Sequence, residues 1–373
     1  MKLIFRRIMF ITLAIVAVLA LAVFIFLQQP LFGKAPADQR LERMKKSPHY
    51  RDGAFDNLMP TPQLTEGYSM PKILFDFFFN KSKTGRPPRP LPSVKTDLKQ
   101  LPPNENVFVW FGHSSYYMQV DGLKFLIDPV FSNNASPIAS SNTAFEGTNI
   151  YSVADLPEID YLLISHDHYD HLDYATIKEL KGKVKKIVCG LGVGEHLEYW
   201  GYAPESITEL DWDETVNIDN QLKIHALPAR HFSGRTFKRN NTLWIAMLLQ
   251  TPTQKILVGG DSGFGNHFAE IGKKFAPIDW AIMENGQYNL AWQAIHSLPE
   301  ETLKAAQLLQ AKHVIPVHSS KFELALHAWD EPLNEITRLN AQYGLDLVTP
   351  KIGQVVRFTD EPQHFGQWWK EVK

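Results

Sequence analysis

The sequence predicts an α/β fold in four layers, with two central β-sheets, helices on both outer faces and a transmembrane helix at the N-terminus. A continuous apolar run lies close to the N-terminus. Short apolar runs typical of strands then follow one another from about Asn106 onward. Segments with helical periodicity separate several of these runs, and this order of elements favours sheets that are covered by helices.

The composition limits the classes of protein to consider. A chain of 373 residues is long enough for a core of about 250 residues with extensions. Its 38 Lys and Arg residues nearly balance 40 Asp and Glu residues, which gives little electrostatic reason to expect nucleic acid as a partner. The single cysteine, Cys189, cannot form an intramolecular disulfide or a thiolate-rich zinc site. Any metal must therefore be held by histidine and carboxylate.

Residues 1–30 are expected to form a membrane anchor. The segment Ile8 to Leu27 contains twenty residues without a charge, enough for a helix to cross the ~30 Å hydrocarbon core of a bilayer. A cleaved signal peptide is the alternative, but its apolar region is normally shorter, about 7 to 15 residues. Basic residues on both sides leave the orientation open, although those nearest the helix favour an inside N-terminus. In a Gram-negative bacterium this orientation places the following domain on the periplasmic side of the inner membrane, with cytoplasmic facing as the alternative.

Residues 31–104 are expected to form an extended linker that wraps the main domain. The segment is rich in proline and basic residues, as in RPPRPLPSVK from Arg86 to Lys95, and it lacks sustained periodicity. Within it, ILFDFFF (Ile73 to Phe79) is too apolar for a free tether. We interpret it as packing against the main domain, with contact to the membrane surface as the alternative.

Residues 105–373 are expected to form the main domain. It opens with two apolar runs joined by Asp121-Gly122, a strong signal for a β-hairpin. Helical periodicity predicts helices over Tyr174 to Leu180 and Glu300 to Leu309. Further strands are predicted over Tyr161 to Ser165, Lys185 to Cys189, Leu222 to Leu227, Leu243 to Leu249, Lys255 to Val258, Trp280 to Met283 and Val314 to Val317.

A cluster of histidines and aspartates follows one buried strand. The sequence YLLISHDHYDHLD, from Tyr161 to Asp173, ends an apolar run in three histidines and three aspartates before a helix begins. Imidazole and carboxylate are the ligands that zinc takes when thiolate is absent. Solvated loop histidines are the alternative, but they do not account for three histidines within six residues. We therefore predict a metal site that includes His166, His168, Asp170 and His171.

Three further ligands are predicted at the ends of other strands. His231 follows LKIHALPAR, Asp261 follows KILVGG and His318 follows HVIPV. Loops at the carboxyl ends of strands are where α/β folds collect functional groups. Each residue alone is a weak signal, and the set gains weight because all three share this context.

The predicted metal ligands resemble the signature of a known family. Residues 166–171, HDHYDH, resemble the HxHxDH signature of the metallo-β-lactamase superfamily, and the three later ligands occur in that family's order. Three stretches resemble one branch of this superfamily: residues 110–132, SHDHYDHLD and GGDSGFG. The branch contains the N-acyl-phosphatidylethanolamine-hydrolysing phospholipase D and, more distantly, ascorbate-6-phosphate lactonases. The resemblance implies the four-layer αβ/βα sandwich of the metallo-β-lactamase fold.

The same resemblance implies two Zn²⁺ ions per chain and a hydrolytic mechanism. One zinc would be held by His166, His168 and His231, and the other by Asp170, His171 and His318. Asp261 would bridge them. Zinc can lower the pKa of a bound water from 15.7 to about 7, so a metal-bound hydroxide is the expected nucleophile. Di-iron redox members of the superfamily resemble HxExDH instead, so the imidazole of His168 favours hydrolysis.

Other residues are expected near the metals. Asp170, Asp261 and His296 are the expected catalytic residues, and His296 would contact the substrate or donate a proton. The alternative for His296 is a structural role beside the start of a helix. The residues expected to support the ligands or line the cleft are His113, Asp128, Glu284, Gln287 and Tyr288.

Three functions remain open from the sequence. The first is hydrolysis of a lipid phosphodiester such as an N-acyl-phosphatidylethanolamine, with the anchor holding the site beside its substrate and Trp368-Trp369 dipping into the interface or packing in the core. The second is a lactonase or a β-lactam or amide hydrolase that acts on a small soluble substrate. The third is a zinc-dependent structural protein, which the complete set of seven ligands disfavours.

Overall fold

The computed structural model describes residues 2–218, 221–359 and 361–372, and it contains two seven-stranded sheets. The first sheet has the order β16-β3-β4-β5-β6-β7-β8, and the second has the order β15-β14-β13-β12-β11-β10-β9. The strands are β1 Tyr50–Arg51, β2 Ala54–Phe55, β3 Val107–Trp110, β4 Tyr116–Val120, β5 Leu123–Ile127, β6 Ile159–Ile164, β7 Val184–Gly190, β8 Ile207–Leu210, β9 Thr215–Ile218, β10 Leu222–Leu227, β11 Ala246–Gln250, β12 Lys255–Val258, β13 Trp280–Glu284, β14 His313–Val317, β15 Asp346–Leu347 and β16 Val355–Arg357.

Helices cover the outer faces of the sheets. Side chains alternate across each strand, so Phe108 packs in the core between the sheets while its neighbour Val109 packs on the outer face of the first sheet. The predicted four-layer α/β architecture is therefore confirmed. The helices are α1 Lys2–Leu27, α2 Asp38–Met44, α3 Met70–Phe79, α4 Tyr174–Glu179, α5 Gly194–Tyr199, α6 His267–Phe275, α7 Pro299–Leu308 and α8 Glu331–Tyr343.

The N-terminal helix stands apart from the packed domain. The segment Leu3–Leu27 is long and apolar enough to cross a bilayer, and its most apolar window has no buried residue. A short 3₁₀ turn, Pro30–Phe32, joins it to the domain. A signal sequence near the N-terminus passes the same test of length and hydropathy, so the helix is a candidate membrane span.

The segment between α1 and the main domain is more regular than expected. Its predicted extended conformation is interrupted by α2 and α3. Packing of ILFDFFF against the domain is also only partly correct, because α3 buries Ile73 while the side chains of Phe78 and Phe79 remain 78% and 74% exposed. By contrast, Trp368 and Trp369 are buried, so of the two alternatives given for them the structure shows packing in the core and not contact with an interface.

Parallel pairing brings the predicted ligands to one edge of the sandwich. Strands β5, β6, β7 and β8 are parallel in the first sheet, and β12, β13, β14 and β15 are parallel in the second. The carboxyl ends of parallel strands meet at one edge of a sheet. The loops after β6, β12 and β14, which carry His166, Asp261 and His318, therefore face one another.

Candidate metal centre

Three histidines form the first half of the centre. His166 and His168 lie in the loop after β6, and His231 lies in the loop after β10. The distance from His168 Nδ1 to His166 Nε2 is 2.9 Å, and to His231 Nε2 it is 3.2 Å. Burial lowers the pKa of His166 and His231 well below the usual value, and that of His168 to about 4. All three are therefore neutral at pH 7, which is the form that binds metals.

The second half combines a carboxylate with further histidines. Ligand atoms of His113, Asp170, His171 and His318 all lie within 4.8 Å of one another. Asp170 Oδ2 is 3.6 Å from His171 Nε2 and 2.8 Å from His113 Nε2. Three histidines thus surround one carboxylate, and their proximity holds the pKa of Asp170 well below its usual range.

Asp261 lies between the two halves. Its Oδ2 is 3.2 Å from His171 Nε2, 3.7 Å from His231 Nε2 and 3.8 Å from His166 Nε2. Its Oδ1 is 3.1 Å from His318 Nδ1. This arrangement requires a close approach of the preceding backbone: Gly260 has a φ of +60°, and a Cβ there would lie 3.0 Å from the Ser165 Cβ.

The residues present fit a pair of divalent cations. His171 Nε2 and Asp261 Oδ1 are buried atoms without a hydrogen-bond partner among the described residues. Such atoms are costly unless something else satisfies them. Burial also raises the pKa of Asp261 to about 6. Without a metal, the charged form of this buried carboxylate is therefore costly at neutral pH. Imidazole and carboxylate donors on two adjoining halves are what two zinc-like ions take.

The outward nitrogens of the histidines are held by other groups. His171 Nδ1 is 2.8 Å from Asp128 Oδ2, His166 Nδ1 is 2.9 Å from Ser165 Oγ, and His231 Nδ1 is 2.8 Å from the Ile295 carbonyl. Each contact leaves Nε2 facing the centre, which is how metal-binding histidines are usually oriented. Asp128 thus lies directly beneath a ligand, as expected. Ser165 has the same role and carried no signal in the sequence.

Backbone strain is concentrated at the same place. His113, Asp128 and His318 have φ angles of +53°, +40° and +66°, in the left-handed region that residues other than glycine avoid. Strain of this kind costs about 1–3 kcal/mol per residue and is typical of functional sites. His113 also stacks on His318, with ring centroids 4.1 Å apart. Its expected proximity to the site is therefore present in the structure.

His296 forms a pair with Glu284 at the rim of the centre. The distance between His296 Nδ1 and Glu284 Oε2 is 2.8 Å, and Glu284 Oε1 accepts a hydrogen bond from the Ser297 backbone. The His296 ring lies 4.9 Å from that of His231. Gln287 lines the cavity above, as expected. Tyr288 does not share that position: its hydroxyl donates to Glu331 at 3.2 Å.

Two cavities open onto the centre. The first, of about 420 Å³, is lined by Met70, Ile73 and Phe77 of α3, by further apolar residues and by residues of the centre, with His296 among them. The second, of about 610 Å³, extends to the end of α1. Both cavities share the same five lining residues, His168, Asp170, Phe232, Arg239 and Leu324.

The chain is similar in sequence to several known proteins. Residues 124–319 match the family model of the Beta-lactamase superfamily domain. A protein of Mycobacterium tuberculosis is 34% identical over 330 residues, which cover 87% of this chain and 88% of that protein. The N-acyl-phosphatidylethanolamine-hydrolyzing phospholipase D 1 of Caenorhabditis elegans is 29% identical over 274 residues, which cover 67% of this chain and 75% of that enzyme.

Solved structures show the same fold. The metallo hydrolase Igni18 from Ignicoccus hospitalis superposes with a TM-score of 0.51 at 20% identity, over 69% of this chain and 99% of that one. At this level of identity the likeness concerns the arrangement of sheets and helices alone.

Proposed function

Because this chain belongs to the β-lactamase superfamily and is a metal-dependent hydrolase, we propose that it is a membrane-anchored phosphodiesterase of phospholipase D type that acts on N-acyl-phosphatidylethanolamine-like lipids. One observation carries the proposal: the metal-binding cluster opens into an apolar cavity that reaches the end of a membrane-spanning candidate helix. A small soluble lactone or amide substrate would need no such cavity. The similarity to the C. elegans phospholipase D supports the same substrate class.

The proposal assigns seven side chains to two zinc ions. His166, His168 and His231 would hold the first ion, and Asp170, His171 and His318 would hold the second. Asp261 would be shared between the two positions, since its carboxylate contacts histidines of both halves. When bound, such a metal pair supplies a water of lowered pKa and a positive field for the charge that develops on the phosphoryl oxygens.

His296 serves as the proton carrier in this scheme. Water attacks phosphorus, the bond from phosphorus to the oxygen of the N-acylethanolamine breaks, and the leaving oxygen must gain the proton that the water loses. The hydrogen bond between His296 Nδ1 and Glu284 fixes the ring and leaves Nε2 as the nitrogen available to a bound substrate. A positioned imidazole of this kind typically contributes about 10²–10⁴-fold to the rate. Asp170 and Asp261 act through the metals.

The membrane attachment uses two elements. Residues 1–30 form the anchor, residues 31–104 connect it to the domain, and residues 105–373 form the hydrolase. Within the connecting segment, α3 presents Phe75, Phe78 and Phe79 to the outside while its residues Met70, Ile73 and Phe77 line the cavity at the metal centre. Exposed aromatic side chains beside an apolar entrance fit contact with a lipid surface. We place the domain on the periplasmic side of a bacterial inner membrane.

The experiment is a substrate screen with the full-length, zinc-loaded protein in detergent. N-acyl-phosphatidylethanolamine, a neutral lactone and a β-lactam are compared, and release of the N-acylethanolamine is measured by mass spectrometry. We expect turnover of the phosphodiester and its loss in a folded Asp170→Asn variant. Turnover of the lactone or β-lactam alone would replace this proposal with the second function, and no turnover together with retained zinc would favour the structural role.

A further inference from the structure

The cavity beside α1 connects the end of that helix with the metal-binding cluster. Val23, Phe26 and Leu27, from the last two turns of α1, line it together with Phe237, whose side chain is 85% exposed. His168 and Asp170 line the same cavity. Apolar side chains of α1 and two residues of the metal-binding cluster thus face one open cavity.

The end of α1 is fixed to the domain at this cavity. The guanidinium of Arg235 donates to the Leu31 carbonyl at 2.6 and 3.1 Å, and the Trp200 indole donates to the Pro30 carbonyl at 2.8 Å. Phe32 packs edge-on against both Phe26 and Tyr169. The end of α1 is therefore held in place at the cavity. Because the residues that it contributes are apolar, we expect the cavity to hold the acyl chains of a membrane lipid.

One cation faces the junction of the two cavities. Arg239 lines both of them, and its guanidinium lies 5.0 Å from the centroid of the Phe232 ring. Across the part of the chain that the structure describes, Arg239 has no hydrogen bond or ion pair. The two other arginines of this region are fully engaged: Arg235 donates to the carbonyls of Leu31, Asp167 and Leu172, and Arg230 donates to Thr61, Pro60 and Phe264.

The loop that carries Arg239 is fixed at its base to the metal-binding segment. Asn240 N donates to the Ser233 carbonyl at 2.9 Å, which closes the loop, and Gly234 N donates to Asp167 Oδ1 at 2.7 Å. Asp167 lies between the two metal-binding histidines of the HDH sequence. The position of Arg239 relative to the metals is therefore set by backbone contacts, while its own side chain remains available.

We propose that Arg239 binds the anionic phosphate of a phosphodiester lipid whose acyl chains lie in the cavity beside α1. Acylation of the ethanolamine nitrogen removes its positive charge, so an N-acyl-phosphatidylethanolamine carries a single negative charge on phosphate. A guanidinium matches that group in charge and in geometry, with two parallel N–H donors. The assignment rests on the proposed function, and it makes Arg239 the residue that separates phosphodiesters from neutral esters and lactones.

The test compares Arg239→Gln and Arg239→Lys with Lys238→Gln, a matched control that removes the same charge from a neighbour outside both cavities. The first readout is kcat/KM on N-acyl-phosphatidylethanolamine in mixed micelles. The second is binding of dihexyl phosphate, an unreactive phosphodiester, to the full-length, zinc-loaded protein by calorimetry. We expect Arg239→Gln to weaken both by about ten- to hundredfold, Arg239→Lys to retain much of both, and Lys238→Gln to stay within twofold.

The outcomes separate this inference from the proposed function. If the wild-type protein hydrolyses the lipid and Arg239→Gln leaves both readouts unchanged, the inference is overturned and the function stands. If no phosphodiester is hydrolysed but Arg239→Gln still weakens dihexyl phosphate binding at least tenfold, the inference stands and the function fails. If Lys238→Gln weakens both readouts as much as Arg239→Gln does, the positive charge of the loop is responsible and not a contact made by Arg239. That result would also overturn the inference.

Discussion

Replacing Asp128 with asparagine tests how the second metal position is held. The Asp128 carboxylate is 1% exposed and accepts three hydrogen bonds, from Ser165 N at 2.8 Å, Ser165 Oγ at 2.6 Å and His171 Nδ1 at 2.8 Å. An asparagine side chain keeps one acceptor oxygen, which Ser165 N can retain. Its NH₂ group would then face the N–H of His171, so two donors would oppose each other.

The expected effect has two parts. A buried donor left without an acceptor costs about 1–3 kcal/mol, which should appear as a lower free energy of unfolding. His171 can avoid this cost by moving its proton from Nδ1 to Nε2, but Nε2 is then no longer free to bind a metal. Loss of such a partner beneath a ligand typically lowers metal affinity by about 10–100-fold. We therefore expect Asp128→Asn to lose affinity for one of two zinc ions.

The assay is a competition titration of the apo-protein with zinc and a chromophoric chelator, alongside urea unfolding. Asp173→Asn is the matched control, since Asp173 is also buried and accepts hydrogen bonds from Thr176 and Ser132 at the start of α4. Both variants should lose stability, and only Asp128→Asn should lose zinc. Equal zinc affinity in Asp128→Asn and the wild-type protein would refute the role assigned to Asp128.

Three further predictions concern turnover and stability. His296→Gln should lower kcat on the proposed phosphodiester, an N-acyl-phosphatidylethanolamine, by about 10²–10⁴-fold, with a much smaller loss for a 4-nitrophenyl phosphodiester whose leaving group needs no proton; equal losses on both substrates would contradict proton transfer by His296. Phe78→Ser with Phe79→Ser should lower turnover in vesicles about tenfold or more, since each buried aromatic side chain contributes about 1.5–3 kcal/mol, and should leave turnover of a monomeric short-chain substrate unchanged. Burial lowers the pKa of Lys321 from 10.5 to about 7, so the unfolded chain binds more protons than the native protein between these values and stability should rise with pH across that range. In Lys321→Met the free energy of unfolding, measured by urea titration at each pH, should depend less on pH from 7 to 10. If the variant and the wild-type protein show the same dependence on pH, the lowered pKa of Lys321 is contradicted.

Local sequence patterns predicted the limits of strands well where turn residues flank the strand at both ends. Two strands, Leu222–Leu227 and Lys255–Val258, have the predicted limits. The strand predicted from Leu243 begins only at Ala246, because the backbone of Leu243 and Ile245 bonds to Leu191 and Ser165 instead of a neighbouring strand. An apolar run therefore marks burial, and the partner of its backbone depends on tertiary structure.

Several helices were not predicted. Helix α8 buries only Pro332, Leu333 and Ile336 among thirteen residues, so its sequence resembles a polar loop. Helix α3 was read as buried because the segment is apolar, but only Ile73 is buried. Composition alone does not distinguish an apolar face that packs in the domain from one that stays exposed.

The candidate metal centre could be predicted well where its residues are contiguous in the sequence and less well where the fold brings distant residues together. The HDHYDH sequence is a strong signal, and the structure brings His231, Asp261 and His318 to it from three other loops. Ser165 and Arg239 carried no signal, because serine and arginine are ordinary loop residues. Their proposed roles depend on the fold, which places Ser165 beside His166 and Arg239 in the lining of both cavities.

Anomalous diffraction from crystals of the zinc-loaded protein, recorded at the zinc edge, would show most directly whether this cluster holds two metals. We predict two peaks, one bounded by His166, His168 and His231, the other by Asp170, His171 and His318, with Asp261 between them. A single peak outside this cluster, or no peak in crystals of active protein, would contradict this prediction.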